Sequence, residues 1–250
     1  MRRDELWLPG TAVGDQRVIA YGHYGPPVLV FASDSGHAHD FESNGMLGAV
    51  ADHVEAGRLK LYCIDSFESG SWRRGDLPLE ARAREHLRFE SFVLGDVVPL
   101  VYRDCGGHQD VLVTGVSFGA FHAANFALRR ADLFPRALCL SGSYDISALG
   151  WGERGDTFYF NNPLDYLVHL HGDHLDWLRQ RVHLTLVVGQ GPWEDESASG
   201  AGPSTLRLAG LLADKGIPHQ LDVWGHDSAH DWPWWRRQLA HHLPRLVGAA

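Results

Sequence analysis

The sequence predicts an α/β fold built on a mostly parallel, doubly wound sheet. Three observations carry this. Short apolar runs alternate with amphipathic helical stretches from residue 16 onward, the pattern of strands joined by crossover helices. One such run, 111–116, passes directly through Gly115-Val116-Ser117-Phe118-Gly119 into a helical stretch, which places a serine on a sharp strand-to-helix turn. Finally, 250 residues, 44% of them hydrophobic, suit one sizeable core. The expected organisation is a single domain, 1–250, with a cap-like insertion at about 145–181.

Residues 16–21 alternate in polarity and read as an early, half-exposed strand. Pro27-Val28-Leu29-Val30-Phe31 is a continuous apolar run, hence a buried strand, and it ends in a loop of small and polar residues, 32–37. Met46, Leu47, Val50 and Val54 stand at helical spacing within 45–57. A strand follows at 59–65, then a long helical pattern over 78–102 with an interruption expected near Pro99. Beyond the serine turn, Ala120, Ala123, Ala124, Phe126, Ala127 and Leu128 continue as a helix. Gly115 and Gly119 leave room where the strand and helix backbones converge. Another strand and loop occupy 136–142. From 143 to 181 the pattern loosens, and Asn161-Asn162-Pro163 is a clear break. Residues 182–188 form a strand, 205–215 a helix closed by Gly216, 219–224 the last strand and 234–247 the final helix.

The formal net charge is −9, and no basic run stands out, which argues against nucleic acid or an anionic membrane surface as partner. No apolar run is long enough to span a bilayer, and Met1-Arg2-Arg3-Asp4-Glu5 does not lead into the apolar region of a secretory signal. Cys63, Cys105 and Cys139 make an odd count without C-x-x-C spacing. Cys63 and Cys139 fall in apolar strands, where a free thiol packs as a small hydrophobe, so a cytoplasmic protein is expected. Homo-oligomerisation is left open.

An activated serine needs a base within hydrogen-bond reach, and the base needs an acid to hold its tautomer. On a Gly-x-Ser-x-Gly turn these follow in the order acid, then histidine. The loop after the strand at 182–188 reads Gln190-Gly191-Pro192-Trp193-Glu194-Asp195-Glu196. Glu194 is the favoured acid and Asp195 the next, at least two of the three carboxylates being ordinary solvated loop residues. After the last strand come His226 and His230. His230 is favoured, because it precedes a helix start with Pro233 in its first turn. An oxyanion hole needs backbone N–H groups: one from Phe118, the other from Ser35 or Gly36 in the 32–37 loop. Trp72, Trp151, Trp193 and Trp232 fall on predicted loops around this site and are expected to contact substrate, although about half of the loop aromatics should simply anchor loops to the sheet. His169-Leu170-His171-Gly172-Asp173-His174 has the spacing of a two-zinc hydrolase motif, but too little chain follows for a second ligand-bearing half. No metal or other cofactor is expected.

Several segments together resemble the putative-esterase family of α/β-hydrolases, which includes esterase D-like enzymes, enterochelin esterases and mycolyltransferases. They are Val30-Phe31 through Phe41-Glu42, Gly45-Met46, Cys63-Ile64-Asp65-Ser66, Ser71-Trp72, Gly115 through Ala120, Leu140 through Asp145, Tyr159 through Pro163 and His230 through Trp235. The resemblance runs from about residue 25 to 245. It implies an α/β-hydrolase fold with Ser117 as nucleophile and His230 as base, since the family histidine precedes a similar aromatic pair. Some members carry an aspartate where this chain has Pro192, whereas related mycolyltransferases use glutamate, which fits Glu194. Ser35-Gly36 stands where relatives commonly have Gly-Gly. The implied activity is that of a serine esterase, cleaving a small-molecule carboxylic ester through an acyl-enzyme. An acyltransferase using the same intermediate is the nearest variant. A non-catalytic binding or scaffold protein on a hydrolase fold is the alternative of a different class.

Overall fold

The apolar runs become the middle of one sheet. In the computed structural model, which describes residues 1–195 and 200–248, the strands are β1 (Arg3–Thr11), β2 (Gly14–Tyr21), β3 (Pro27–Phe31), β4 (Lys60–Ile64), β5 (Leu112–Val116), β6 (Arg136–Leu140), β7 (His183–Val188) and β8 (His219–Val223). Their spatial order is β1-β2-β4-β3-β5-β6-β7-β8. From β4 to β8 every neighbouring pair is parallel, while β2 joins β4, and β1 joins β2, in antiparallel fashion. β1 was not expected. It is an edge strand of mixed charge, and Leu6 and Leu8 pack on the core without forming a continuous apolar run.

Strand side chains alternate between the two faces. Along β3, Leu29 and Phe31 enter one core with Phe89, Val113, Phe126 and Leu208, while Val28 and Val30 enter the other with Met46, Val54, Leu239 and Leu243. Both faces are covered, which is why the central strands read as unbroken hydrophobic runs. The helices are α1 (Asp40–Ser43), α2 (Ala51–Glu55), α3 (Leu79–Phe92), α4 (Val98–Asp104), α5 (Phe118–Arg129), α6 (Asp156–Tyr159), α7 (Pro163–His169), α8 (Gly172–Arg181), α9 (Ala201–Asp214) and α10 (Trp232–Leu246). The interruption expected near Pro99 is a π-helical stretch, Val93–Val97, with Pro99 in the first turn of α4.

Between 145 and 181 lie a 3-10 turn, Ile146–Leu149, and then α6, α7 and α8. α6 lies against α3 and α7 against α9. Asn162 accepts the Ile146 N–H on Oδ1 at 3.2 Å, and its Nδ2 donates to Asp165 at 2.9 Å, so the Asn161-Asn162-Pro163 break satisfies local polar groups. Cys63, Cys105 and Cys139 are free thiols. Among the described residues no helix is long and apolar enough to cross a membrane.

Candidate active site

Ser117 sits between β5 and α5 with φ 54° and ψ −120°, a left-handed backbone that a serine adopts only under constraint. The constraint is visible in the flanking glycines. A Cβ on Gly119 would lie 2.5 Å from Phe31 O and 2.6 Å from Ala32 O, and one on Gly115 would meet the Gly119 backbone. The Ser117 N–H donates to Leu140 O at 2.9 Å, tying the turn to β6.

The loops after β7 and β8 bring the partners. His230 Nε2 is 3.0 Å from Ser117 Oγ, across 113 residues of sequence, and His230 Nδ1 is 3.1 Å from Glu194 Oε2. The imidazole packs edge-on against Trp235, with ring centroids 4.9 Å apart, and its N–H on the main chain donates to Pro192 O. Glu194 is completely buried. Isolating a carboxylate from water costs several kcal/mol unless donors surround it. Here Oε1 accepts Ser141 Oγ–H at 2.7 Å and Gly189 N–H at 3.3 Å, while Ser141 Oγ accepts the Trp235 indole N–H at 3.1 Å. Asp195, by contrast, is exposed and lies beside Gly202 at the start of α9, and Glu196 is outside the described residues. His226 is exposed, with Nδ1 3.3 Å from Gln190 O. Asp231 caps α10 by accepting the Trp232 N–H at 2.7 Å, which fixes the chain direction immediately after His230.

The two amides expected as second oxyanion donor point into the protein. The Ser35 N–H donates to Glu68 Oε2 at 3.0 Å and the Gly36 N–H to Ser33 O at 2.9 Å, so both amides are already engaged within the protein. Asp34 is the loop residue that lines the cavity with Ser117 and Phe118. That cavity, about 260 Å³, is also bordered by Arg73, Asp145 and Ile146. Arg73 grips the Asp34 carboxylate with two guanidinium nitrogens, which raises its pKa above the ordinary arginine value. Desolvation pushes the Asp145 carboxyl upward, but hydrogen bonds from Ser147 and Asn162 and the charge of Arg207 outweigh it, leaving the group below its ordinary range.

The tryptophans expected at substrate are placed elsewhere. Trp72 is fully buried, packed edge-on against Phe121 and Phe158 at 6.3 and 6.4 Å. Trp151 is exposed, its indole N–H donating to Gly75 O at 3.4 Å. Trp193 is exposed with φ 65°, and Trp232 is half-buried against Trp235. None of the four lines the cavity at Ser117: Trp72 and Trp232 pack against helix side chains, and Trp151 and Trp193 face solvent. His169, His171 and His174 line a separate cavity of about 490 Å³ with Arg129 and Tyr159. The metal-ligating atoms that approach within 4.8 Å of one another, among the described residues, belong instead to Asp222, His241 and His242.

Two residues near the cavity carry no signal in the sequence: Asp34, which lines it, and Glu68, which holds the adjacent Ser35 amide. Asp34 is one residue from the expected donors, and the direction of an amide cannot be read from residue type. Glu68 lies in a polar loop with no periodic signal.

A serine on a left-handed turn after the fifth strand of this sheet, facing a histidine from the loop after the last strand, defines an α/β-hydrolase. The family model described as Putative esterase matches residues 21–246, and the chain belongs to that family. Among solved structures it is similar to a ferulic acid esterase, with a TM-score of 0.76, 14% identity and coverage of 100% of this chain and 98% of that one. It is similar to the S-formylglutathione hydrolase FrmB of Staphylococcus aureus, with a TM-score of 0.69, 14% identity and coverage of 98% and 96%. MPT51 of Mycobacterium tuberculosis superposes with a TM-score of 0.72 at 14% identity, over 100% of this chain and 99% of the other. At such identities the likeness is one of fold. No curated protein matches the chain by sequence.

Proposed function

We propose that the protein is a serine esterase that cleaves a small-molecule carboxylic ester through an acyl-enzyme on Ser117. The observation that carries this reading is the continuous relay from Ser117 Oγ through His230 to the buried Glu194, at 3.0 and 3.1 Å. His230 Nε2 takes the hydroxyl proton as Oγ attacks the ester carbonyl. Nδ1–H donates to Glu194, which holds the tautomer and stabilises the imidazolium. Phe118 N–H and Asp34 N–H receive the oxyanion. His230 then protonates the departing alcohol. Water, deprotonated by His230, attacks the acyl carbonyl, and the acid leaves as Oγ regains its proton.

The reading treats residues 1–250 as one cytoplasmic unit, with 145–181 as an insertion whose first turn, Ile146–Leu149, borders the cavity. A cavity of about 260 Å³ with Ile146 and Phe118 in its wall accommodates a short acyl group, and Asp34, Arg73 and Asp145 add polar recognition. The test is Ser117→Ala assayed on short p-nitrophenyl esters. Turnover should fall by at least about 10⁴-fold, and a fluorophosphonate should label wild type but not the variant. Folded wild type that resists labelling would favour a binding or scaffold role.

A further inference from the structure

We infer that Glu68 is a positioning residue for the oxyanion hole: one buried carboxylate ties the 32–37 loop to helix α5, the two elements that carry the oxyanion donors. This rests on the serine-esterase reading above. Glu68 is 1% exposed and begins the 3-10 turn Glu68–Gly70. Its Oε2 accepts the Ser35 N–H at 3.0 Å, and its Oε1 is 2.6 Å from His122 Nε2. Ser35 follows Asp34 directly. His122 lies one helical turn beyond Phe118 on α5, and its ring meets the Phe118 ring edge-on at 5.2 Å. The carboxylate therefore spans the gap between both donors.

The same turn reaches Asp34 a second time. The Arg73 N–H donates to Glu68 O at 2.8 Å, and the Arg73 guanidinium clasps the Asp34 carboxylate. The peptide after Asp34 and its side chain are thus both held from residues 68–73. Ser35 has φ 53°, a left-handed conformation that costs of order 1 kcal/mol or more and needs an anchor. A charged acceptor gives a stronger hydrogen bond than a neutral one. Behind His122, the His86 ring stacks at 5.3 Å with an interplanar angle of 17°. Both His86 nitrogens and His122 Nδ1 are buried without a hydrogen-bond partner in the protein, so His122 is held by hydrogen bonding through Nε2 to Glu68 alone.

Oxyanion stabilisation depends on where the donors stand, and losing one costs about 10²–10³-fold in kcat. The experiment compares Glu68→Ala, Glu68→Gln and Glu68→Asp on a short p-nitrophenyl ester. It also measures inhibition by an alkyl boronic acid, whose tetrahedral adduct on Ser117 places an oxygen in the oxyanion hole. For E68A, kcat should fall about 10²-fold with KM nearly constant, and boronate affinity should fall in parallel. E68Q still presents an oxygen to the Ser35 N–H at full reach and should recover most of both. E68D keeps the charge but loses the reach and should not. If E68A fails to fold, the E68Q-over-E68D order still decides. The inference is overturned if folded E68A keeps kcat and boronate affinity, if kcat falls without boronate affinity following, or if E68D outperforms E68Q. A wild type that neither turns over ester nor accepts fluorophosphonate would instead overturn the esterase reading.

Discussion

Glu194–His230 and Glu68–His122 are built from the same two residue types, and both carboxylates are almost completely withdrawn from solvent. They differ on the far side of the imidazole. His230, 21% exposed at its side chain, presents its second nitrogen to Ser117 Oγ. His122, 2% exposed, presents its second nitrogen to packed rings and finds no partner. The pair that opens onto a hydroxyl can relay a proton; the pair that is sealed can only hold its neighbours in place. Burial of the acid does not distinguish the two roles.

The comparison breaks most sharply at Glu194. Glu194→Gln preserves the shape but not the charge behind His230, and kcat should drop about 10⁴-fold in steady-state ester assays. Asp195→Asn, on an exposed neighbour, should change kcat less than about twofold, since surface substitutions away from a site are usually near neutral. A larger loss in the second variant would move the acid to Asp195. At the sealed pair the main effect should be on stability. His122→Leu removes the partner of Glu68 Oε1, and urea unfolding should show a loss of about 1–3 kcal/mol. The smallest effect belongs to His86. Burial, helped by the nearby His122 and Arg129, holds its pKa well below 6.5, so the folded protein resists protonating it while the unfolded chain does not. Its contribution is complete above about pH 6.5 and is lost as pH falls below that value toward the folded-state pKa. His86→Phe should therefore flatten the decline of stability with acid, measured by denaturant titration across that range. An unchanged pH slope would sink this account.

That Ser117, Glu194 and His230 would meet was legible because chain order and strand ends fix where such residues can come together. The seven strands from 16 onward were legible because burial on both faces, or on one, leaves a pattern in sequence. β1 was not, since an exposed edge strand needs few apolar residues. The 32–37 loop was legible as one that borders Ser117, but the direction of its amides was not: Ser35 and Gly36 donate to Glu68 and Ser33, a consequence of local turn geometry and of a residue 33 positions away. Trp72 shows the limit for aromatics, because a loop tryptophan facing a ligand and one facing Phe121 have the same sequence signature. Glu68 had none at all, since a polar loop acid becomes a buried strut only through partners in two other elements.

Ser117 is not alone in its backbone conformation. Among the described residues, the non-glycine positions with positive φ are Ser35, Ser117, Ser141 and Trp193. One is the serine itself, one anchors the loop of Asp34, one donates to Glu194, and one immediately precedes Glu194. Each such conformation costs about 1–3 kcal/mol, so among the described residues this form of backbone strain is concentrated in a few loops around Ser117 and Glu194. Selection for greater thermal endurance would find gains at these four positions, and under the proposed mechanism would relax the geometry on which turnover depends. The trade between durability and activity in this protein is therefore local.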